Sequence, residues 1–141
     1  MLAASALDAL DGAVARAAGK VTLFGGFLDS TLDRLSEAAI LGGLLWLYTY
    51  GSAAPAYPLA PLLIYLALVG SLLVSYTRAR AEGLGLECKV GLFTRTERII
   101  ILGLGLILRQ EIIALWILAI LANFTVLQRI WHIWRATRPS K

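Results

Sequence analysis

Apolar residues collect in four runs, at 38–50, 59–77, 99–108 and 112–127, and the polar residues fall between them. A helix beginning near Gly25 and ending at Tyr50 is 26 residues long, about 39 Å at 1.5 Å per residue. That exceeds the roughly 30 Å of a bilayer core. Its first half is polar on one face (Asp29, Asp33, Arg34, Glu37) and its end carries Trp46, Tyr48 and Tyr50, an interfacial aromatic pattern. Gly51–Pro58 reads as a loop, and the next run opens with Pro61 in its first turn, where a missing N–H costs nothing. Arg78, Arg80 and Glu82 end that run, and 83–93 is a Gly-containing loop. Thr94 with Glu97 has the spacing of a capping box. The third run crosses a bilayer only if residues 95–98 also lie at membrane depth beside a wet cavity. Arg109, Gln110 and Glu111 form a tight turn before the last run, and 129–141 is a basic, Trp-bearing tail. Met1–Leu7 covers about 10 Å and cannot span alone. It has no basic start, and Asp8 interrupts it, so it does not read as a signal peptide.

Composition agrees with these runs. The 141 residues are 59% hydrophobic and 16% charged, with mean hydropathy +0.77. A soluble domain is nearer half apolar and a quarter charged. One domain, 1–141, is expected. The expected fold is an all-α integral membrane protein: a polytopic helical bundle of four full spans plus a partial N-terminal helix. A single cysteine, Cys88, excludes an internal disulfide, and a single histidine, His132, excludes a His-based triad or metal cluster. The net charge of +4 comes from basic residues scattered between apolar runs, which points to a membrane surface rather than nucleic acid.

Charge also orients the runs. If they alternate across a membrane, one side holds Arg16, Lys20, Arg34, Arg78, Arg80, Lys89, Arg95, Arg98, Arg129, Arg135, Arg138 and Lys141, and the other only Arg109. The positive-inside rule puts the first side in the cytoplasm of a multi-pass plasma-membrane protein. The same side carries four carboxylates, Asp8, Asp11, Asp29 and Asp33. Positions 8, 11, 12, 15, 16 and 19 share one helical face, as do 25, 29 and 33. Clustered carboxylates near a bilayer need a compensating cation, and hard oxygen donors suit Mg²⁺, Mn²⁺ or Ca²⁺ far better than zinc, as one ion or two. Arg16 offers a fixed fork for phosphate.

The run D-x-x-D-G-x-x-A-R, eight residues, then G-x-x-x-D-x-x-x-D is matched without a gap from Asp8 to Asp33. It resembles the motif of the CDP-alcohol phosphotransferase family of membrane enzymes. The stretch Ser75–Gly85 (SYTRARAEGLG) and Thr96–Arg98 (TER) look like the phosphatidylinositol-phosphate and phosphatidylglycerophosphate synthase branches. The resemblance implies transfer of a phosphatidyl-type group from a CDP-linked lipid to an alcohol, with release of CMP, in phospholipid synthesis. It implies Asp8, Asp11, Asp29 and Asp33 as metal ligands, with Asp33 also the general base. It implies Gly12, Ala15, Arg16 and Gly25 as the CDP site, and Arg80, Arg98 and Arg78 as the contacts to a phosphorylated acceptor, inositol 1-phosphate before glycerol 3-phosphate. Homodimers are implied too. The family's first transmembrane helix is missing, so the chain reads as truncated at its N-terminus.

Blander readings stand beside these. Positive-inside anchoring explains the arginines as well, and Arg98 is placed to pair with Glu97. His132 with Trp131 and Trp134 reads as an interfacial belt. Cys88 has no assigned role. Gly42-Gly43, Gly70-Ser71 and Gly103-x-Gly105 suit close helix packing. A small ion-coupled transporter and a folded but inactive family member are the alternatives to an enzyme.

Overall fold

The computed structural model describes residues 22–51 and 56–138, and all the regular structure among them is helical. The helices are α1 (Leu23–Tyr50), α2 (Ala60–Gly83), α3 (Arg95–Ile107) and α4 (Glu111–Ala136). The expected partial helix at the N-terminus lies outside the described residues. The chain divides into two compact units, 1–36 and 37–141, with α1 contributing to both.

The core of the second unit is apolar. Leu41, Leu44 and Tyr48 of α1 join Leu63, Ile64 and Ala67 of α2, Leu102 of α3, and Leu115, Leu118 and Ala122 of α4. α4 packs against both α2 and α3, and small residues set how closely. A Cβ added at Gly70 would lie 2.9 Å from the Ala122 Cβ, and one at Gly105 2.5 Å from the Ala114 Cβ. Side chains there would push the helices apart. Asn123 fastens the α2 crossing by donating from Nδ2 to the Leu66 carbonyl at 3.0 Å. At Gly42, Gly43 and Gly103 an added Cβ would meet nothing within 4 Å among the described residues.

Two helices run further than the apolar pattern indicates. α2 continues through Arg78, Arg80 and Glu82, because charged residues with long stems are good helix formers. The stop is Gly85, at φ 75°, with the Leu86 N–H donating to the Ala81 carbonyl at 2.9 Å in a Schellman closure. α4 continues to Ala136, so most of the basic tail is helical. α3 ends in the same closure, Gln110 N–H to the Gly105 carbonyl at 2.8 Å, but there the left-handed position is held by Arg109 at φ 54°. At 13 residues α3 is about 20 Å long.

The outer faces are apolar. Trp46, Leu62, Tyr65, Ile113, Ile120 and Leu127 are all exposed. Among the described residues, α2 and α4 are long and apolar enough to cross a membrane.

Candidate functional site

The first half of α1 carries the second half of the aspartate motif. Thr22 caps it: its Oγ1 accepts the Gly25 N–H at 3.0 Å. A Cβ at Gly25 would sit 2.9 Å from that hydroxyl, so the glycine keeps the cap open. Asp29 is exposed and Asp33 half-buried, one turn apart on the same helix, which puts their Cβ atoms about 5–6 Å apart. Arg34 donates from Nη1 to the Ser30 carbonyl. Asp8, Asp11, Gly12, Ala15 and Arg16 lie outside the described residues. Among the described residues no group of three His, Cys, Asp or Glu side chains is placed to hold a metal. The carboxylate pair Asp29 and Asp33 fits a hard divalent cation in donor chemistry, as one half of a ligand set.

The three expected acceptor arginines occupy different environments. Arg78 is exposed and pairs from Nε with Glu82 Oε1 at 2.8 Å. Arg80 is exposed in the last turn of α2. Arg98, in the first turn of α3, is only 2% exposed. Its partner is not Glu97 but Glu37, 61 residues earlier on α1: Nε donates to Oε1 at 2.9 Å and Nη2 to Oε2 at 3.2 Å. Glu37 is itself buried. Nη1 of Arg98 is buried without a hydrogen-bond acceptor among the described residues. Two buried charges are tolerable when the pairing is bidentate, and burial explains why Arg98 takes the interior carboxylate rather than the exposed one beside it. Glu97 accepts the Thr94 hydroxyl instead. Thr94 is therefore the N-cap residue, but its side chain bonds a side chain and not the backbone N–H of a capping box.

Two structural roles had no assignment in the sequence. Glu37 is one. Its only signal was its place four residues beyond Asp33 on the polar face of α1. Arg129 is the other: 5% exposed, it donates from Nε to the Val90 carbonyl at 3.0 Å and from Nη1 to the Val74 carbonyl, tying α4 to α2 and to the 84–94 loop. Gly91, at φ 139°, makes room for it; a Cβ there would meet the guanidinium at 3.2 Å. In that loop Cys88 is buried while its neighbours Glu87 and Lys89 pair at the surface at 3.1 Å. His132 and Trp131 line an open groove of about 660 Å³ with Phe124, Leu127 and Arg135. Trp131 stacks on Trp134 at 4.9 Å, and Arg138 caps the Trp134 ring at 3.6 Å.

Residues 1–132 match the family model described as CDP-alcohol phosphatidyltransferase. The chain is 46% identical over 142 residues to archaetidylinositol phosphate synthase of Methanothermobacter thermautotrophicus, covering 96% of this chain and 68% of that protein. It is 39% identical over 132 residues to phosphatidylinositol phosphate synthase of Mycolicibacterium smegmatis, covering 87% and 58% respectively. The chain thus spans about two thirds or less of these relatives' length. The crystal structure of Mycobacterium tuberculosis phosphatidylinositol phosphate synthase with CDP-DAG bound matches with TM-score 0.81 at 34% identity, over 95% of this chain and 72% of that one. The same protein in complex with manganese and citrate matches at TM-score 0.81 and 33% identity, over 95% and 68%.

Proposed function

The chain belongs to the CDP-alcohol phosphatidyltransferase family, and we propose that it transfers a phosphatidyl-type group from a CDP-linked lipid to inositol 1-phosphate. The observation that carries this reading is the likeness to an archaetidylinositol phosphate synthase, 46% identical across nearly the whole chain. The gapless motif from Asp8 to Asp33 supports it. Glycerol 3-phosphate is the second acceptor in order of preference.

In this reading residues 1–141 form one domain of a polytopic membrane protein, and the outward-facing apolar side chains of α1, α2 and α4 meet lipid. The side rich in Lys and Arg, with the aspartates, faces the cytoplasm. The working unit is a homodimer. Asp8, Asp11, Asp29 and Asp33 hold one or two divalent cations, Mg²⁺ or Mn²⁺. The chemistry a divalent cation supplies at such a set is neutralisation of pyrophosphate charge and stabilisation of a leaving oxygen. Gly12, Ala15 and Gly25 leave space for the CDP moiety, and Arg16 hydrogen-bonds its phosphate. Asp33 takes the proton of the acceptor hydroxyl as that oxygen bonds to the lipid-bearing phosphorus; the bond from phosphorus to the CMP oxygen breaks, and CMP leaves. Arg98, Arg80 and Arg78 hold the acceptor's own phosphate, which orients its hydroxyl.

The test is CMP release by the membrane-reconstituted chain with a CDP-lipid and Mg²⁺. Asp29→Asn is expected to abolish release, because an amide oxygen lacks the negative charge of the ligating carboxylate and holds the cation far more weakly. Full release by purified Asp29→Asn protein would sink the reading. Uptake of an ion or solute without nucleotide dependence would favour a transporter.

A further inference from the structure

We infer that Glu37 is the positioning residue for the acceptor's phosphate: it grips one edge of Arg98 and leaves the Nη1 edge to meet a phosphate oxygen. The inference rests on the function proposed above and deepens it.

A guanidinium has five N–H donors in a rigid plane. The Glu37 carboxylate takes the edge formed by Nε and Nη2, at 2.9 and 3.2 Å. Two such bonds fix both the position and the tilt of the plane. The arginine is 2% exposed, so it has no freedom to swing into solvent. Nη1 then points where the other bonds dictate, and it is buried with no acceptor among the described residues. An orphaned buried donor is costly and rare, and it calls for a ligand oxygen or a water. An exposed carboxylate, Glu97, lies next in the chain and is not used by Arg98. The pair is neutral overall, so an anion would be held there by a directed hydrogen bond more than by unbalanced charge. Arg78 and Arg80 are both exposed, and Arg78 already gives its Nε to Glu82. They supply charge, whereas Arg98 supplies a fixed direction.

The experiment compares the wild-type chain with E37Q, E37D and the double variant E37M/R98M. It uses calorimetric titration of inositol 1-phosphate into detergent-purified protein, alongside steady-state CMP release. E37Q keeps the shape but presents one oxygen and one NH₂ to the fork, so the guanidinium must turn. Its acceptor KM and dissociation constant are expected to rise about 10-fold, the scale of one charge-assisted hydrogen bond, with donor KM unchanged. E37D, which keeps a carboxylate, recovers part of the loss. The double variant replaces the buried pair with apolar side chains, keeps the thermal midpoint of a folded protein, and loses acceptor affinity further. Wild-type affinity for inositol 1-phosphate in E37Q or in the folded double variant would overturn the inference, leaving the pair a structural clamp. Binding by the wild type, weakened in E37Q but without CMP release from any CDP-lipid, would uphold the positioning role and sink the proposed reaction.

Discussion

Arg98 and Arg129 are both buried arginines, and they are held by opposite means. Arg98 faces a carboxylate, Glu37, which cancels its charge and uses one edge of its fork. Arg129 reaches two backbone carbonyls, those of Val90 from Nε and Val74 from Nη1, and these leave its charge uncancelled. Held by carbonyls on two segments, Arg129 ties α4 to α2 and to the 84–94 loop. A carboxylate-held arginine becomes a neutral unit with a donor to spare, and that is the arrangement a substrate site can use. On the reading proposed above, the contrast separates an arginine that supports from one that binds, although both are basic residues near apolar runs in the sequence.

The largest expected effect comes from breaking the pair on one side. Glu37→Met strands the Arg98 cation in the interior and should lower stability by about 3–5 kcal/mol. The double replacement with methionines should return to within about 1 kcal/mol of wild type. Unfolding in mixed micelles measures both, and a single variant as stable as the double would end the distinction between the two arginines.

Arg129→Met is next. It removes two anchors of the charge-assisted kind and should cost about 2–4 kcal/mol. The loss should appear as faster amide exchange in residues 86–93, with α1 unaffected. Unchanged exchange in that loop would show that Gly91 and the burial of Cys88 hold it without the arginine.

A third arginine sharpens the comparison, since its feature of interest is its backbone. Arg109 occupies the left-handed closing position of α3, where the matching position of α2 is Gly85. Arg109→Gly should stabilise the chain by up to about 1 kcal/mol, read from the shift in the unfolding midpoint. A loss of stability would mean that its side chain contributes more than the strain costs.

How much of this was legible in the sequence divides along the same line. The helices could be read because their signals are local: Pro61 at a first turn, Thr94 at a cap, and Arg109–Glu111 at a turn all stand within a few residues of what they punctuate. α2 and α4 run on past their apolar stretches through the charged residues that follow, because a helix stops where the backbone is closed, as at Gly85. The aspartate motif was legible because its spacing is fixed within one stretch; its second half falls on α1 and its first half lies outside the described residues. Glu37 with Arg98 was not legible. The two are 61 residues apart, and their shared burial in the folded chain, not spacing, selects that carboxylate over Glu97. Arg129 was counted among membrane-surface charges for the same reason, since a carbonyl partner leaves no mark in a sequence.

The most direct test of the account is acceptor dependence. CMP release should be measured for the reconstituted chain with a CDP-lipid and Mg²⁺, with inositol 1-phosphate, with glycerol 3-phosphate, and with neither. The account predicts release that requires inositol 1-phosphate and disappears in Asp33→Asn. Release that is equal with and without an acceptor, or that survives in Asp33→Asn, would contradict it.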